Sequence, residues 1–249
     1  MKNKYLVPII DFLIIALFIA IWQILSQTGV INTFIFSSPS RIINTLKDLL
    51  LHGNLFMHIF VTLKEVVISF VLGTILAFII SIILYSNRLL AKIFDPFLTM
   101  LNSLPKVSLG PLIIIWAGAN TKSIILMAIL TNVIISIITI YHGFINTDIL
   151  KIKLFKVFKA TKKQILFKLV IPSNISTIIN SLKINISLTL IGVIMGELLV
   201  SKKGIGYLIL YGTQVFNLDI VMSGLLVLII ISYILYKLVL ILNKKIVSD

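Results

Sequence analysis

Six separate stretches of this chain are each long and apolar enough to cross a bilayer, near residues 6–26, 59–84, 94–117, 122–142, 177–200 and 222–243. A helix spanning the hydrocarbon core needs about 20 predominantly apolar residues. Within lipid, only helices and closed barrels satisfy every backbone hydrogen bond internally. The composition agrees: 59% hydrophobic, 12% charged and a mean hydropathy of +1.15 are too apolar for a soluble domain of 249 residues. The expected fold is therefore an all-α integral membrane protein of about six transmembrane helices. No internal repeat or low-complexity tail divides it.

The ends and breaks of these stretches carry information. Met1 to Lys4 precede an apolar run from Tyr5 to Leu25, but Ser26-Gln27-Thr28 is not a small-x-small cleavage site. The run therefore reads as a retained first span and not as a secretion signal. The second stretch has Gly73 and Ala77 as small packing residues. Pro105, Lys106 and Pro111 interrupt the third, which is expected to be broken or kinked. Between the first two spans, Ser37-Ser38-Pro39-Ser40 followed by Arg41 to Leu51 predicts a capped amphipathic helix on the outer surface. Ser38 or Ser40 would cap it, and Ile42, Ile43, Leu46 and Leu50 form its apolar stripe. Two units follow: residues 1–55, holding the first span and the outer helix, and residues 56–245, holding the main body.

Basic residues are enriched in cytoplasmic loops. Placing the N-terminus inside assigns Lys2, Lys4, Arg88, Lys92, Lys244, Lys245 and seven lysines of one loop to the cytoplasm. The outside then receives Arg41, Lys47, Lys122, Lys202 and Lys203, so the split is thirteen against five. Both termini are expected to be cytoplasmic. The loop lysines are Lys151, Lys153, Lys156, Lys159, Lys162, Lys163 and Lys168, with no acid among them.

Several function classes are excluded or disfavoured. The net charge of +14 is not arranged as a basic face interleaved with stacking aromatics, so no nucleic-acid partner is expected. No phosphate-loop motif occurs, and Gly204-Ile205-Gly206 lacks the third glycine and the preceding strand of a dinucleotide fingerprint. Zero cysteines exclude thiolate chemistry, and His52, His58 and His142 show no metal-ligand spacing. With few acids to form a catalytic pair, no catalytic residue, metal site or cofactor is expected on this chain. Charges near a membrane are the default functional candidates. They are Lys64 and Glu65 at the start of the second span, Lys106 in the broken third, Lys183 in the inner half of the fifth, and Glu197 near its outer end. Glu197 adjoins the outer-mouth glycines Gly204 and Gly206, so gating or packing is expected of it; with Pro105, Lys106 and Lys183 these residues are candidates for the gate or translocation path.

The lysine loop has helical spacing. Asp148 precedes a first piece, Ile149 to Phe158, and a second runs from Thr161 to Val170 into Ile171-Pro172. Ile152, Phe155 and Phe158, then Ile165, Leu166 and Leu169, recur at three- and four-residue intervals. Pro172 is expected to end the second piece, with Ser173-Asn174 capping the next span.

At this point the chain resembles a known family, the permease subunits of bacterial binding-protein-dependent ABC importers of type I. Within it, the sulfonate, taurine, nitrate and thiamine-precursor branch is the most similar. The motifs are Ser38-Pro39-Ser40, Thr62-Leu63, Asp95-Pro96, Leu104-Pro105-Lys106-Val107, Pro111 to Trp116, Gly196-Glu197-Leu198-Leu199 and Gly204-Ile205-Gly206-Tyr207-Leu208-Ile209. The family's cytoplasmic loop carries Glu-Ala-Ala, three residues, Gly, nine residues, then Ile-x-Leu-Pro. The same register here gives Lys153-Leu154-Phe155, Lys159 and Leu169-Val170-Ile171-Pro172. Spacing is kept, whereas the glutamate, both alanines and the glycine are not.

The resemblance implies an ABC transporter type-1 transmembrane domain over residues 56–245 with a cytoplasmic two-helix coupling loop. It implies a multi-pass protein of the cell (inner) membrane, and a permease homodimer working with cytoplasmic ATPase subunits and an extracytoplasmic solute-binding protein. ATP would be hydrolysed on the partner subunit. The ridge entering the ATPase groove would be Phe155, Phe158, Ile165 and Leu166, linked to the fifth span through Pro172. Lys159 would stand at a left-handed turn, and Lys153 would reverse the charge of the groove contact. Two explanations of those departures stay open: a partner with a matching acidic groove, or composition drift with the loop's shape kept. Two other classes also stay open, a stand-alone secondary transporter and a non-transporting membrane scaffold.

Overall fold

The computed structural model describes the backbone of residues 3–247 and the side-chain environments of residues 9–241. Lys2 and the side chains of Lys4, Lys244 and Lys245, used above for orientation, lie outside the described residues. The chain is all-helical, and no strand occurs among the described residues. In order come α1 (Asn3–Gln27), the short α2 (Thr33–Phe36), α3 (Pro39–Leu51), α4 (Leu55–Ser86), α5 (Arg88–Ser103), α6 (Gly110–Ala117) and α7 (Thr121–Ile145). Then follow α8 (Ile149–Val157), α9 (Lys162–Ile165), α10 (Ile171–Ser173), α11 (Ile175–Val200), α12 (Ile205–Gln214) and α13 (Leu218–Val247).

Among the described residues, five helices meet the length and apolarity of a span: Ile9–Gln27, Leu55–Ser86, Thr121–Ile145, Ile175–Val200 and Leu218–Ile241. The sixth is the interrupted one. Here α5 and the segment Lys106–Ala117 meet at 92°, across a 3₁₀ turn at Lys106–Leu109. Sequence chemistry explains the break. Leu104, preceding a proline, takes extended φ −70, ψ 136, as the Pro105 ring requires. Pro105 has no N–H to continue the ladder, and Pro111 falls in the first turn of α6, where that loss costs nothing.

Helix α7 lies between α4 and α11. Val66, Ile124, Ala128, Val193 and Ile205 form the central core, all essentially inaccessible. At the lysine-loop end, Phe144 is fully buried, with Phe78 and Tyr85 edge-on to it at ring distances of 6.3 and 5.9 Å. A polar seam runs between the three helices. Asn132 Nδ2 donates to Thr189 Oγ1 at 2.6 Å, the Ser136 hydroxyl donates to Asn185 Oδ1, and Asn185 Nδ2 donates to Thr74 Oγ1 at 3.2 Å. Such interhelical bonds hold spans together where lipid supplies no hydrophobic drive. Gly73 makes room for the seam, because a Cβ at that position would overlap the Asn132 amide.

From Ile9 to Ile21 every residue of α1 is exposed, as in a lipid-facing span. It touches α3 through Gln23 Nε2, which donates to Ser40 Oγ at 3.1 Å. Ser38 caps α3, accepting the Arg41 N–H at 3.3 Å. The expected apolar stripe is divided: Ile42 is buried and Leu46 packs on the core, whereas Ile43 and Leu50 are exposed. What fastens α3 is polar. Arg41 Nη2 and Nε both donate to Asp219 Oδ2 at 2.7 and 2.9 Å, and Ser37 Oγ donates to Oδ1 at 2.6 Å.

The second loop helix departs from expectation. Thr161 and Gln164 form a capping box that opens α9, but the helix does not stop at Pro172. It widens into a π-helical turn at Leu166–Val170, and the Ile171 N–H bonds to the Leu166 carbonyl. The turn makes room for the Pro172 ring, so helical backbone runs almost unbroken from α9 through α10 to α11. Asn174 makes no side-chain cap. Its Nδ2 instead donates to Thr147 Oγ1 and the Val170 carbonyl, both at 2.8 Å, tying the loop to the end of α7.

Candidate functional site

Two regions at opposite ends of the helical body draw the functional candidates together. At the glycine-rich end, Glu197 is fully buried near the end of α11. Thr62 Oγ1 on α4 donates to its Oε1 at 2.7 Å, and the Gly206 N–H donates to its Oε2 at 2.6 Å. Thr62 also accepts the Ile205 N–H at 2.9 Å. His58 Nδ1 lies 3.0 Å from the Gly204 nitrogen, and its ring stacks on Tyr207 at 5.9 Å. Gly204 has φ +107, and a Cβ there would overlap the Glu197 carboxyl. Only glycine fits on both counts. Glu65, 2% exposed, brings a second carboxyl beside Glu197. Its Oε2 has no hydrogen-bond partner. The cluster fastens the start of α12 to both α4 and α11.

The broken span places Lys106 half-buried, with its ammonium donating to the Asn102 carbonyl and, at 3.2 Å, to Asn102 Oδ1. Lys106 lines a cavity of about 130 Å³ with Met127, Thr131, Ile191, Gly192 and Met195. Pro105 does not line that cavity but sets the turn that presents Lys106 to it. Lys183 is elsewhere on α11, donating to Asn180 Oδ1 at 3.0 Å. The structure thus joins Glu197, Gly204 and Gly206, and leaves Lys106 and Lys183 apart from them.

At the other end, the lysine loop folds as two short helices against the spans. Ile165 and Leu166 are buried with Leu169 and Val170 under Ile140 and Phe144. Ile152 and Phe155 are half-buried against the same cluster. The loop's own inner face therefore takes three of the four expected ridge residues, and Phe158 alone stands free, 76% exposed. Leu150, Leu154 and Val157 are exposed beside it. Lys153 is also exposed on α8. Lys159 adopts φ 54, the left-handed turn that its register calls for, between α8 and α9.

Sequence reasoning missed Thr62 as the partner of Glu197, the Asp219 anchor of Arg41, and the Asn132–Asn185 seam. Only the seam leaves a trace in the sequence: polar residues four apart inside apolar runs, Asn132 with Ser136 and Asn185 with Thr189. Among the described residues, no group of three or more His, Asp or Glu side chains could hold a metal ion.

An interrupted span, a buried polar cluster at one end and a two-helix loop at the other mark this all-helical membrane fold. The family described as binding-protein-dependent transport system inner membrane component matches residues 69–248, and the chain belongs to it. It is 26% identical to a Bacillus subtilis permease protein named for aliphatic sulfonates transport, SsuC, over 94% of this chain and 84% of that one. It is 29% identical to an ABC transporter permease protein of Haemophilus influenzae, over 95% and 94%. To the formylaminopyrimidine transport permease protein ThiX of Halalkalibacterium halodurans it is 27% identical, over 83% and 82%. Among solved structures, an inward-facing conformation of the MetNI methionine ABC transporter shares the fold, with a TM-score of 0.65 at 16% identity. That match covers 79% of this chain and 97% of that one. The protein is a multi-pass permease subunit of an ABC importer.

Proposed function

We propose that two copies of this chain form the translocation path and that the lysine loop is the cytoplasmic handle of a separate ATPase subunit. Residues 56–245 act as the transport body, with residues 1–55 adding a peripheral span and a surface helix. Both termini face the cytoplasm, since thirteen of the basic residues counted above fall on that side under this topology. An external binding protein delivers the solute. Closure of the ATPase pair moves the loops and switches the path between inward- and outward-facing states. ATP stays on the partner, and this chain binds no cofactor.

One observation carries the reading. The loop presents an exposed apolar edge away from its own core and is joined to α11 by nearly continuous helix. Movement at the loop therefore has a stiff route to Glu197 near the far end of α11. That carboxylate, with Gly204 and Gly206, serves as the outer latch, and Pro105 and Lys106 shape the path at the broken span. The relatives' names suggest a small anionic or heteroaromatic solute, chosen mainly by the binding protein.

The test is reconstitution in proteoliposomes with the ATPase and binding protein of the same system. Solute uptake is expected to require both partners and ATP. Uptake driven by an ion gradient without the ATPase overturns the reading.

A further inference from the structure

The outward edge of α8 specifies more than a generic docking helix. On a helix of about 3.6 residues per turn, Leu150, Leu154 and Val157 fall on one stripe, roughly opposite Ile152 and Phe155. The inner pair packs against the loop's core and the span ends. Exposures of 69%, 54% and 76% leave the outer stripe largely uncovered by this chain, and Phe158 extends it at the helix end. Lys153 and Lys151 flank the stripe on either side, both exposed. Lys156 and Lys159 lie within a turn of them. From Ile149 to Val170 the sequence has seven lysines and no acid. The Asp148 carboxylate at its start is engaged by the Leu150 N–H at 2.8 Å.

The stripe lies opposite the face that packs on the span ends, which favours a protein surface over the bilayer as its occupant. When that stripe is covered, its flanking ammonium groups lose water. Burying a charge without a counter-charge is strongly unfavourable. Among the described residues no carboxylate of this chain pairs with any of the loop lysines. The compensating charge must come from the partner.

We infer that the partner of this loop is an ATPase subunit whose docking groove has an apolar floor filled by Leu150, Leu154, Val157 and Phe158, and an acidic rim facing Lys151 and Lys153. This rests on the ATPase-docking reading and adds the chemistry of the partner surface. Complementary charge sets partner choice and encounter rate, and a basic or neutral rim would reject this loop by leaving its lysines unpaired. The pairing of this permease with its ATPase is then specific and salt-sensitive.

The experiment uses the full chain in nanodiscs of neutral phosphatidylcholine and the purified ATPase of the same system, with affinity measured at 50 and 300 mM salt. The charge variant is Lys151→Glu/Lys153→Glu, and the ridge variant is Leu154→Asp/Phe158→Asp. All four side chains are exposed, so both variants are expected to fold, which thermal melting checks. The acidic-rim proposal predicts that reversing the two lysines weakens binding about tenfold or more, and that raised salt weakens the parent markedly but the charge variant little. Loss of binding in the ridge variant alone, with salt and charge reversal without effect, overturns the acidic rim and leaves the docking reading standing. Unchanged binding in both variants overturns docking itself. Adding anionic phosphatidylglycerol vesicles as competitor is expected to leave affinity unchanged, and strong competition assigns the lysines to lipid and overturns the proposal.

Discussion

Thr62 Oγ1 donates to Glu197 Oε1 at 2.7 Å and at the same time accepts the Ile205 N–H at 2.9 Å, so one hydroxyl on α4 holds both α11 and α12. Thr62→Val keeps the shape and removes both bonds. Two buried polar groups are then orphaned, at about 1–3 kcal/mol each. Thermal melting of the purified protein is expected to show a clear loss of stability, while Thr62→Ser retains most of it.

Gly204 and Gly29 both have positive φ, +107 and +75, but their surroundings differ. A Cβ at Gly29 meets nothing within 4 Å, whereas at Gly204 it overlaps the Glu197 carboxyl. Gly29→Ala is expected to cost only the left-handed backbone penalty, about 1–2 kcal/mol. Gly204→Ala must also displace the carboxylate, so lower expression and lost transport are expected. Comparable behaviour of the two variants would remove the role given to Gly204.

Within the seam, Gly73→Ala is expected to destabilise the protein by driving its methyl into the Asn132 amide. Adding Asn132→Ala opens the space and is expected to recover part of the loss. A double-mutant cycle measures the coupling, which for groups in direct contact runs about 0.5–3 kcal/mol.

Lys159→Gly relieves a left-handed residue at φ 54. The relief is about 1 kcal/mol at such a turn, partly offset by the greater freedom of glycine in the unfolded chain. A small rise in melting temperature is expected. A fall would show that the Lys159 side chain contributes to the turn.

The sequence showed the broken third span because its cause, Pro105 and Pro111, is local. The left-handed turn expected at Lys159 came from the family resemblance, which places a glycine at that register, and not from periodicity. The pairing of Glu197 with Thr62 lies 135 residues apart in the chain and leaves no mark in periodicity. Glu197 could be singled out as a candidate, but its partners could not. The loop failed in a different way. Spacing identifies an apolar residue as part of a face without saying which body that face meets. Ile165 and Leu166 therefore read as a docking ridge, although they turn inward onto Phe144. Pro172 misled because a proline ends a helix only when the preceding turn cannot widen.

That widened turn sets an angular offset between loop and span. Five residues, Leu166–Val170, follow a wider path than the helices on either side, so the directions in which α9 and α11 face are not those a uniform helix would give. Removing one residue there restores ordinary winding and swings the loop by about 100° about the helix axis. The outward stripe of α8 then points elsewhere, although every side chain in it is unchanged. Alignment between the lysine loop and α11 is thus stored in a single residue of excess length.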